Sequence, residues 1–468
     1  MMRILFIEAK QNDKVAEIRK YNLRPVGLRL GPFYLASYLR SENSNVKISI
    51  QENRLRSTEN ISYDLAQEIK DNDVIAISCM TNEFPDALRM MRIAKEFGKV
   101  IILGGLFPSA NSEFVLKTQL ADFVVHGEGE LSLSSLIKCL QEDGEISNVK
   151  GISYVESGAI VCNPSECLLT NIDIIPAYDL ISMGSYAKYG RGPVMSARGC
   201  PHSCTFCTLA PHWRHEYRVN SFENVAAQIK CFEEVGFKHM NIIDETFTLD
   251  KNRSIELLHF LIDKREKSEL KLLPTQVRSR IDTIDLSLIK LLINANIDLV
   301  QIGVETVSSD GLRNMSKNLK EFEIERTLDT ILDAGISLNP IFIFGYQGQT
   351  KDSIKNDMKF IKKLASKPNV TTYISFNTPH PGSYNWINAR KAGLHILTGD
   401  VNYYNHKMLV CVPESMGDPE YSSKLIQECY NEIVKDMNME HENPFLDNLD
   451  YIINSNPDFN HIENIWCE

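Results

Sequence analysis

Short apolar runs alternate with amphipathic segments along the first 145 residues. The runs MRILFIEA, VKISIQEN, DVIAISCM, KVIILGG and ADFVVHGEGE predict five strands. Between them, FYLASYLRSE and DALRMMRIAKEFG predict helices, and the second helix ends at Gly98, a residue suited to a C-cap. Strands that alternate with helices in this way predict an α/β domain over residues 1–145, built on a doubly wound parallel sheet.

The loops that follow these strands are rich in glycine and in small residues. In open parallel sheets, ligands bind at the carboxyl ends of the strands, and glycine lets the backbone approach a large flat ligand closely. These loops therefore predict a binding site, formed by Ser78, Met80, Thr81, Gly104, Gly105, Leu106, Phe107, Gly127, Glu128 and Gly129. Tight turns in any domain of this class carry similar glycines, so a purely structural role stays open on this pattern alone.

A second run of alternating elements follows a short linker. Residues 146–193 contain GISYVESGAIVCNPSE, which predicts a hairpin, and then the proline-containing stretch NIDIIPAYDLI. From residue 194 the alternation resumes, and six βα-type units predict a partial (βα)6 barrel over 194–395, with its chemistry at the carboxyl ends of the strands. Residues 396–468 predict a small, mostly helical cap that contributes to substrate specificity.

Composition narrows the class of protein. A chain of 468 residues is too long for a single hydrophobic core and predicts more than one domain. Its 43% hydrophobic residues and formal charge of −11 favour a globular protein without the basic surface of a nucleic-acid binder. The sequence shows neither a cationic signal region nor the ~18 consecutive apolar residues of a membrane helix. Most of the eleven cysteines are scattered without a disulfide framework. We expect a monomeric, cytoplasmic protein.

Three cysteines stand apart from the rest. Cys200, Cys204 and Cys207 lie in RGCPHSCTFCTLAPHW with C-x3-C-x2-C spacing. Three thiolates on one loop can bind three irons of a four-iron, four-sulfur cluster and leave the fourth iron with an open position. A zinc site completed by one of the nearby histidines, His202, His212 or His215, would explain the same spacing.

The cysteine loop resembles that of radical S-adenosylmethionine (SAM) enzymes. In the first domain, ILGGLFPSANSEFVL and ADFVVHGEGE resemble the Rossmann-like cobalamin-binding domain that precedes many radical SAM domains. The resemblance implies a 4Fe-4S cluster on the three cysteines, SAM at the open iron and cobalamin in the first domain. Many such domains carry a D-x-H-x-x-G loop, but here residues 52–60 read ENRLRSTEN. The resemblance therefore implies base-off cobalamin without a His ligand, and it leaves room for a domain that has lost the cofactor.

The same resemblance assigns roles around SAM. Phe206 would pack on the adenine, although an aromatic residue at this position could equally belong to the core. Glu305, at the end of LVQIGVE, would bind the ribose or the amine, and Gly345 would lie near the adenine. On the strand TQVRSRID, Gln276 and Arg278 could pair with the SAM carboxylate, which suits the planar fork of arginine.

Further candidates lie beside these residues. Asp244 and Glu245, at the end of the second barrel strand, are weaker candidates for SAM contacts. The predicted substrate-lining residues come from APHWRHEYR and are His212, Trp213, His215 and Tyr217.

The resemblance also implies a reaction. It implies a methyltransferase that acts on an unactivated carbon of a small metabolite or natural-product intermediate, by way of a 5′-deoxyadenosyl radical and methylcobalamin. Other members of this family form rings or rearrange carbon skeletons without transferring a methyl group. A non-catalytic metal-binding regulator is a third possibility. For an enzyme, we expect an electron donor such as flavodoxin or ferredoxin, and a small-molecule substrate.

Overall fold

The computed structural model describes residues 1–10, 28–51, 61–165, 167–180, 191–317, 319–399, 404 and 408–436. These residues form two compact units. The first contains the described residues up to Pro193 together with Arg218–Lys238, and the second contains Val194–Tyr217 and the described residues from His239 onward. Along the described chain, no helix is long and apolar enough to cross a membrane.

A mostly parallel sheet is the centre of the first unit. Its strand order is β2-β1-β3-β4-β5-β6-β7, and the first five strands are parallel. The strands are β1 (Met2–Glu8), β2 (Val46–Gln51), β3 (Val74–Ser78), β4 (Val100–Gly104), β5 (Phe123–Val125), β6 (Ile152–Glu156) and β7 (Ala159–Asn163). The antiparallel β6–β7 pair is the predicted hairpin, and its turn uses Ser157 and Gly158 at positive φ. The predicted doubly wound domain is confirmed.

Helices connect the parallel strands and cover the two faces of this sheet. They are α1 (Leu30–Glu42), α2 (Ile61–Asp71), α3 (Phe84–Glu96), α4 (Leu106–Ala110), α5 (Ser112–Lys117) and α6 (Glu130–Gln141). Because the central strand β1 is covered on both faces, its residues from Ile4 to Ile7 form one continuous apolar run and are all buried.

The segment Arg218–Lys238 groups with the first unit, although the sequence pattern placed it in the barrel. It contains β10 (Arg218–Val219) and α8 (Phe222–Val235). The Phe232 ring lies 4.8 Å from that of Tyr178, and Ser221 N donates to Asp173 at 2.6 Å. These contacts with the linker explain the grouping.

The second unit is built on a six-stranded sheet. Its order is β15-β14-β13-β12-β11-β8, with parallel pairing from β11 to β15. The strands are β8 (Gly192–Val194), β11 (Met240–Ile242), β12 (Gln276–Arg280), β13 (Leu299–Glu305), β14 (Ser337–Phe344) and β15 (Tyr373–Phe376), while β9 (Ala197–Arg198) precedes the cysteine loop. The helices are α7 (Leu209–His212), α9 (Lys251–Glu266), α10 (Leu286–Asn294), α11 (Ser309–Asn314), α12 (Glu321–Asp333), α13 (Lys351–Ala365) and α14 (Tyr384–Ile387). The predicted partial barrel is confirmed.

Beyond the barrel, the described part of the C-terminal region contains one antiparallel strand pair and one long helix. These are β16 (Leu394–Ile396), β17 (Cys411–Pro413) and α15 (Pro419–Asp436). The Tyr430 ring lies 5.0 Å from that of Phe376 at the end of β15, so α15 packs against the barrel. The strand pair was not predicted from the sequence, because its strands are only three residues long.

Candidate functional site

The three cysteines share one short, partly buried loop. Cys207 N donates to the Cys204 carbonyl at 3.1 Å, which closes a tight turn between the two residues. Backbone N–H groups approach the sulfurs, from His202 to Cys200 and from Ala210 and Leu209 to Cys207. Burial, reinforced by the neighbouring thiols, raises the pKa of Cys200 and raises the pKa of Cys207 to about 11.

This donor set fits an iron–sulfur cluster. A buried thiol with a raised pKa becomes a stable thiolate when cationic iron compensates its charge. Arg280 Nη1 lies 3.8 Å from Cys204 Sγ and adds a positive charge at the same place. In the described chain, no three His, Cys, Asp or Glu side chains converge as the ligands of a single metal ion do. Cluster thiolates bind separate irons, so they do not need such convergence.

Two carboxylates after β11 fix the chain on both sides of the cysteines. Asp244 is buried and accepts from Ser196 N at 2.7 Å and from Ala197 N at 3.1 Å. Glu245 accepts from Gly199 N at 3.1 Å and from Trp213 Nε1 at 2.9 Å. Glu245 therefore joins the residue before Cys200 to the segment that leaves the loop. The sequence pointed to both carboxylates, but it did not show this anchoring role.

The predicted substrate-lining residues lie in that outgoing segment. Trp213 uses its indole N–H on Glu245, and the His212 ring meets Trp213 edge-on at 5.0 Å. His215 has a left-handed backbone with φ 58°. Burial raises the pKa of Tyr217 to about 12. The structure thus gives Trp213 a role in holding the loop, and the substrate role of these residues stays a prediction.

Glu305 ends β13 in a buried ion pair that the sequence did not reveal. Its Oε1 lies 2.5 Å from Lys317 Nζ, and the two side chains are only 7% and 4% exposed. Lys317 Nζ also donates to the Gly303 carbonyl at 3.2 Å. A Cβ on Gly303 would lie 2.5 Å from Glu305 Oε1, so glycine makes room for the pair. Lys317 follows twelve positions later in IGVETVSSDGLRNMSK, and α11 returns it to the strand end.

Phe206 and Gly345 have different surroundings. Phe206 packs against a buried cluster of Met315, Ile343 and Tyr346, next to the end of β14. Gly345 has φ 78°, and a Cβ there would lie 3.4 Å from the Cys411 carbonyl oxygen. The left-handed backbone therefore accounts for the glycine at position 345, and its proximity to adenine stays a prediction.

A row of polar side chains crosses three adjacent barrel strands. Arg278, Gln301 and Asn339 are register partners on β12, β13 and β14. Arg278 Nε donates to Gln301 Oε1 at 3.0 Å, and Gln301 Nε2 donates to Asn339 Oδ1 at 2.7 Å. Arg278 remains open to solvent although partial desolvation lowers its pKa. Within the described residues, the structure records no hydrogen-bond partner for Nη1 and Nη2, although the carboxylates of Glu245 and Asp244 favour the charged guanidinium. This edge can therefore receive a carboxylate or a phosphate. Gln276 is half-buried two residues earlier on the same strand.

In the first unit, the carboxyl ends of the parallel strands surround an open recess, whose empty space is about 460 Å³ when the solvent at its mouth is included. Its lining includes five of the predicted residues, Ser78, Gly104, Gly105, Gly127 and Gly129. The other lining side chains are mostly apolar, among them Phe6 and Leu35. At Gly105, φ is 99° and a Cβ would lie 2.9 Å from the Cys79 carbonyl oxygen. Backbone surfaces and apolar walls fit a planar, largely apolar group of a large cofactor.

The other five predicted residues are outside the lining of this recess. Phe107 is a core side chain, with its ring 4.7 Å from that of Phe84. Glu128 pairs with Arg218 at 2.7 Å and accepts from Leu169 N at 3.0 Å. Thr81 is buried, Leu106 is half-buried, and Met80 is exposed. Phe107 and Glu128 thus shape the loops. The segment ENRLRSTEN, on which the prediction about the missing His ligand rests, lies outside the described residues.

Comparison with known proteins identifies the family. The description "Radical SAM superfamily" matches residues 194–361, and "B12 binding domain" matches residues 17–137. The chain is 30% identical over 400 residues to the uncharacterized methyltransferase PH0819 of Pyrococcus horikoshii, an alignment that covers 82% of this chain and 83% of the relative. The chain belongs to the cobalamin-dependent radical SAM enzymes.

Other members of these radical SAM enzymes differ in chemistry. The anaerobic magnesium-protoporphyrin IX monomethyl ester cyclase of Rubrivivax gelatinosus is 26% identical over 443 residues, which cover 91% of this chain and 76% of the cyclase. The radical SAM methyltransferase TsrM of Kitasatospora setae, solved with cobalamin and a [4Fe-4S] cluster bound, superposes with a TM-score of 0.71. That match has 14% identity and covers 95% of this chain and 90% of TsrM, so it establishes the fold. The predicted family, fold class and cofactor classes are confirmed.

Proposed function

We propose that this chain is a C-methyltransferase that acts on a small organic molecule. One observation supports this proposal above the others: a single chain contains both the three-cysteine loop and the glycine-lined recess. The same chain aligns with most of the length of a methyltransferase relative. When bound, the cluster supplies the electron that cleaves SAM, and cobalamin carries the methyl group. We also propose a monomeric, cytoplasmic enzyme that receives electrons from a flavodoxin or ferredoxin.

The cysteines and the buried ion pair have separate roles in this proposal. Cys200, Cys204 and Cys207 hold the cluster. Lys317 offers a positive charge to the SAM carboxylate, and Glu305 accepts from the ribose hydroxyls or the amine. Both groups are buried and already paired, so SAM would exchange one set of charge contacts for another rather than desolvate free charges.

Arg278 is a second candidate for an anionic group. Gln301 accepts from Nε, and within the described residues no hydrogen-bond partner is recorded for the two terminal nitrogens. This arrangement suits the SAM carboxylate, as the sequence predicted, and it suits equally an acidic group on the substrate. Phe206 supplies the apolar surface for the adenine.

A cyclase or rearrangement enzyme without methyl transfer is the second candidate. It is favoured by the alignment to the Rubrivivax cyclase, which covers more of this chain than the alignment to the methyltransferase does. The cluster loop, Glu305 and Lys317 would serve that reaction unchanged, because both reactions begin with the same cleavage of SAM.

Product analysis separates the two candidates. The protein is reconstituted anaerobically with iron and sulfide, then incubated with SAM, hydroxocobalamin and a strong reductant, and the nucleoside products are quantified. A methyltransferase forms S-adenosylhomocysteine only when cobalamin is present, together with 5′-deoxyadenosine. A cyclase forms 5′-deoxyadenosine alone. The Cys207→Ala variant is the control, and it should form no 5′-deoxyadenosine.

A further inference from the structure

A buried hydrogen-bond network begins at the residues that directly follow Glu305. Thr306 Oγ1 donates to the Asp357 carboxylate, at 2.8 Å from Oδ1 and 2.9 Å from Oδ2. Val307 N donates to Asp357 Oδ1 at 2.8 Å. The Tyr346 hydroxyl lies 3.0 Å from Thr306 Oγ1. Thr306, Tyr346 and Asp357 are fully or almost fully buried, so water does not compete for these bonds.

One end of the network fixes the backbone of Glu305. Glu305 has φ 66°, in the left-handed region that non-glycine residues rarely adopt, and the pairing of β13 with β14 shifts register between Gly303 and Glu305. Such a conformation persists only where its surroundings impose it. Asp357, on α13, imposes it by holding the side chain of the next residue and the N–H of the one after.

The other end of the network reaches Phe206. The Tyr346 ring packs with Met315 and Ile343, and Phe206 packs against the same cluster. Gly311 lies directly against the Tyr346 ring, because a Cβ on Gly311 would lie 2.7 Å from Tyr346 Cε2. The hydroxyl of Tyr346 is therefore placed at Thr306 while its ring supports the aromatic residue that precedes Cys207.

From this arrangement, we infer that Asp357 is a positioning residue for SAM binding, and that it acts through Thr306 and Tyr346 to fix Glu305 and Phe206 in relation to each other. The inference rests on the proposed function, which assigns Glu305 and Phe206 to SAM. A network that served stability alone would not need to connect two predicted SAM contacts from different parts of the chain, one on β13 and one on the cysteine loop.

A pair of substitutions at one position isolates the hydroxyl. Thr306→Val keeps the shape of the side chain and removes the hydroxyl, whereas Thr306→Ser keeps the hydroxyl. Thr330→Val is the matched control, because the Thr330 hydroxyl donates only to the Arg326 carbonyl of its own helix, at 2.7 Å. Tyr346→Phe keeps the ring and the bonds of Asp357, and removes the tyrosine hydroxyl with its contacts to Thr306 and to Ser353 Oγ, which lies 3.3 Å away.

The measurement is the SAM affinity of anaerobically reconstituted protein, by equilibrium dialysis. It is combined with the electron paramagnetic resonance spectrum of the reduced cluster with and without SAM, and with the melting temperature. We expect Thr306→Val to weaken SAM binding by up to about tenfold, because the hydroxyl that links Asp357 to the backbone beside Glu305 would be lost. We expect Tyr346→Phe to weaken it less, and Thr306→Ser and Thr330→Val to match the wild type. The spectrum without SAM should be the same in all variants.

Three results would overturn the inference. The first is wild-type affinity in both Thr306→Val and Tyr346→Phe. The second is equal weakening in Thr306→Val and Thr306→Ser, which would trace the effect to packing rather than to the hydroxyl. If Thr306→Val does not fold, Tyr346→Phe decides. The third is a wild-type protein that carries the cluster but binds no SAM, and that result would also overturn the proposed function.

Discussion

Substitution of Lys317, alone and together with Glu305, should distinguish the contribution of this ion pair to folding stability from its contribution to SAM binding. Glu305 and Lys317 are almost completely buried, and their charged atoms lie 2.5 Å apart. Lys317→Met would leave the Glu305 carboxylate buried without its cationic partner. Breaking a buried pair in this way costs about 3–5 kcal/mol. For a unit of this size, such a loss lowers the melting temperature by about 6–20 °C.

The double variant Glu305→Gln with Lys317→Met should regain most of this stability. Replacing both partners removes the uncompensated charge, and such replacements are often close to neutral. Neither variant should bind SAM with wild-type affinity, because each lacks the charge offered to the SAM carboxylate. The assay is thermal unfolding of the three proteins without SAM, followed by equilibrium dialysis with SAM.

Two results would refute this reasoning. If Lys317→Met melts at the wild-type temperature, the pair does not have the buried, coupled character that the structure shows. If the double variant binds SAM as tightly as the wild type, the pair has no role in the site, and its presence at the end of β13 needs another explanation.

Three further predictions concern the recess of the first unit, the cysteine loop and the buried Asp357. Gly105→Val should displace the loop that lines the recess of the first unit, because a Cβ there would lie 2.9 Å from the Cys79 carbonyl oxygen at a φ of 99°. It should weaken corrinoid retention about tenfold or more, whereas Gly31→Ala, which meets nothing within 4 Å, should not. Trp213→Phe removes the indole N–H bonded to Glu245, and it should reduce the iron retained after reconstitution while leaving the melting temperature of the apoprotein nearly unchanged. Burial, to which the charge of Glu321 adds, raises the pKa of Asp357 to about 7. Its contribution to stability is therefore complete below the ordinary aspartate pKa and is lost as the pH rises through 7. The melting temperature of the wild type, relative to Asp357→Asn, should fall between pH 5 and pH 8, and a flat difference would contradict this.

The periodicity of the sequence predicted the elements because both sheets are mostly parallel and covered. Strands such as β1 are unbroken apolar runs, and helices such as α3 and α13 have a polar face opposite a buried apolar one. The cysteine spacing and the glycine loops pointed to the two cofactor sites because these residue types have few other reasons to occur in such patterns.

What the sequence could not supply is the direction of individual side chains and the packing of distant segments. Phe107 follows β4 beside the recess, yet its side chain is buried in the core. Residue type alone does not distinguish a phenylalanine that lines a site from one that packs in the core. Lys317 returns to Glu305 only because α11 folds back over the strand end. Glu245 was a plausible SAM ligand, and only the structure shows that both of its oxygens hold the cysteine loop.

Corrinoid retention is the most direct test of whether this chain uses cobalamin. The purified protein is incubated with hydroxocobalamin, freed of unbound cofactor by desalting, and examined by ultraviolet–visible spectroscopy after its iron content has been measured. We expect the protein to retain a stoichiometric amount of corrinoid together with a four-iron cluster. A protein that carries the cluster but releases all corrinoid would contradict a cobalamin-dependent reaction in this chain.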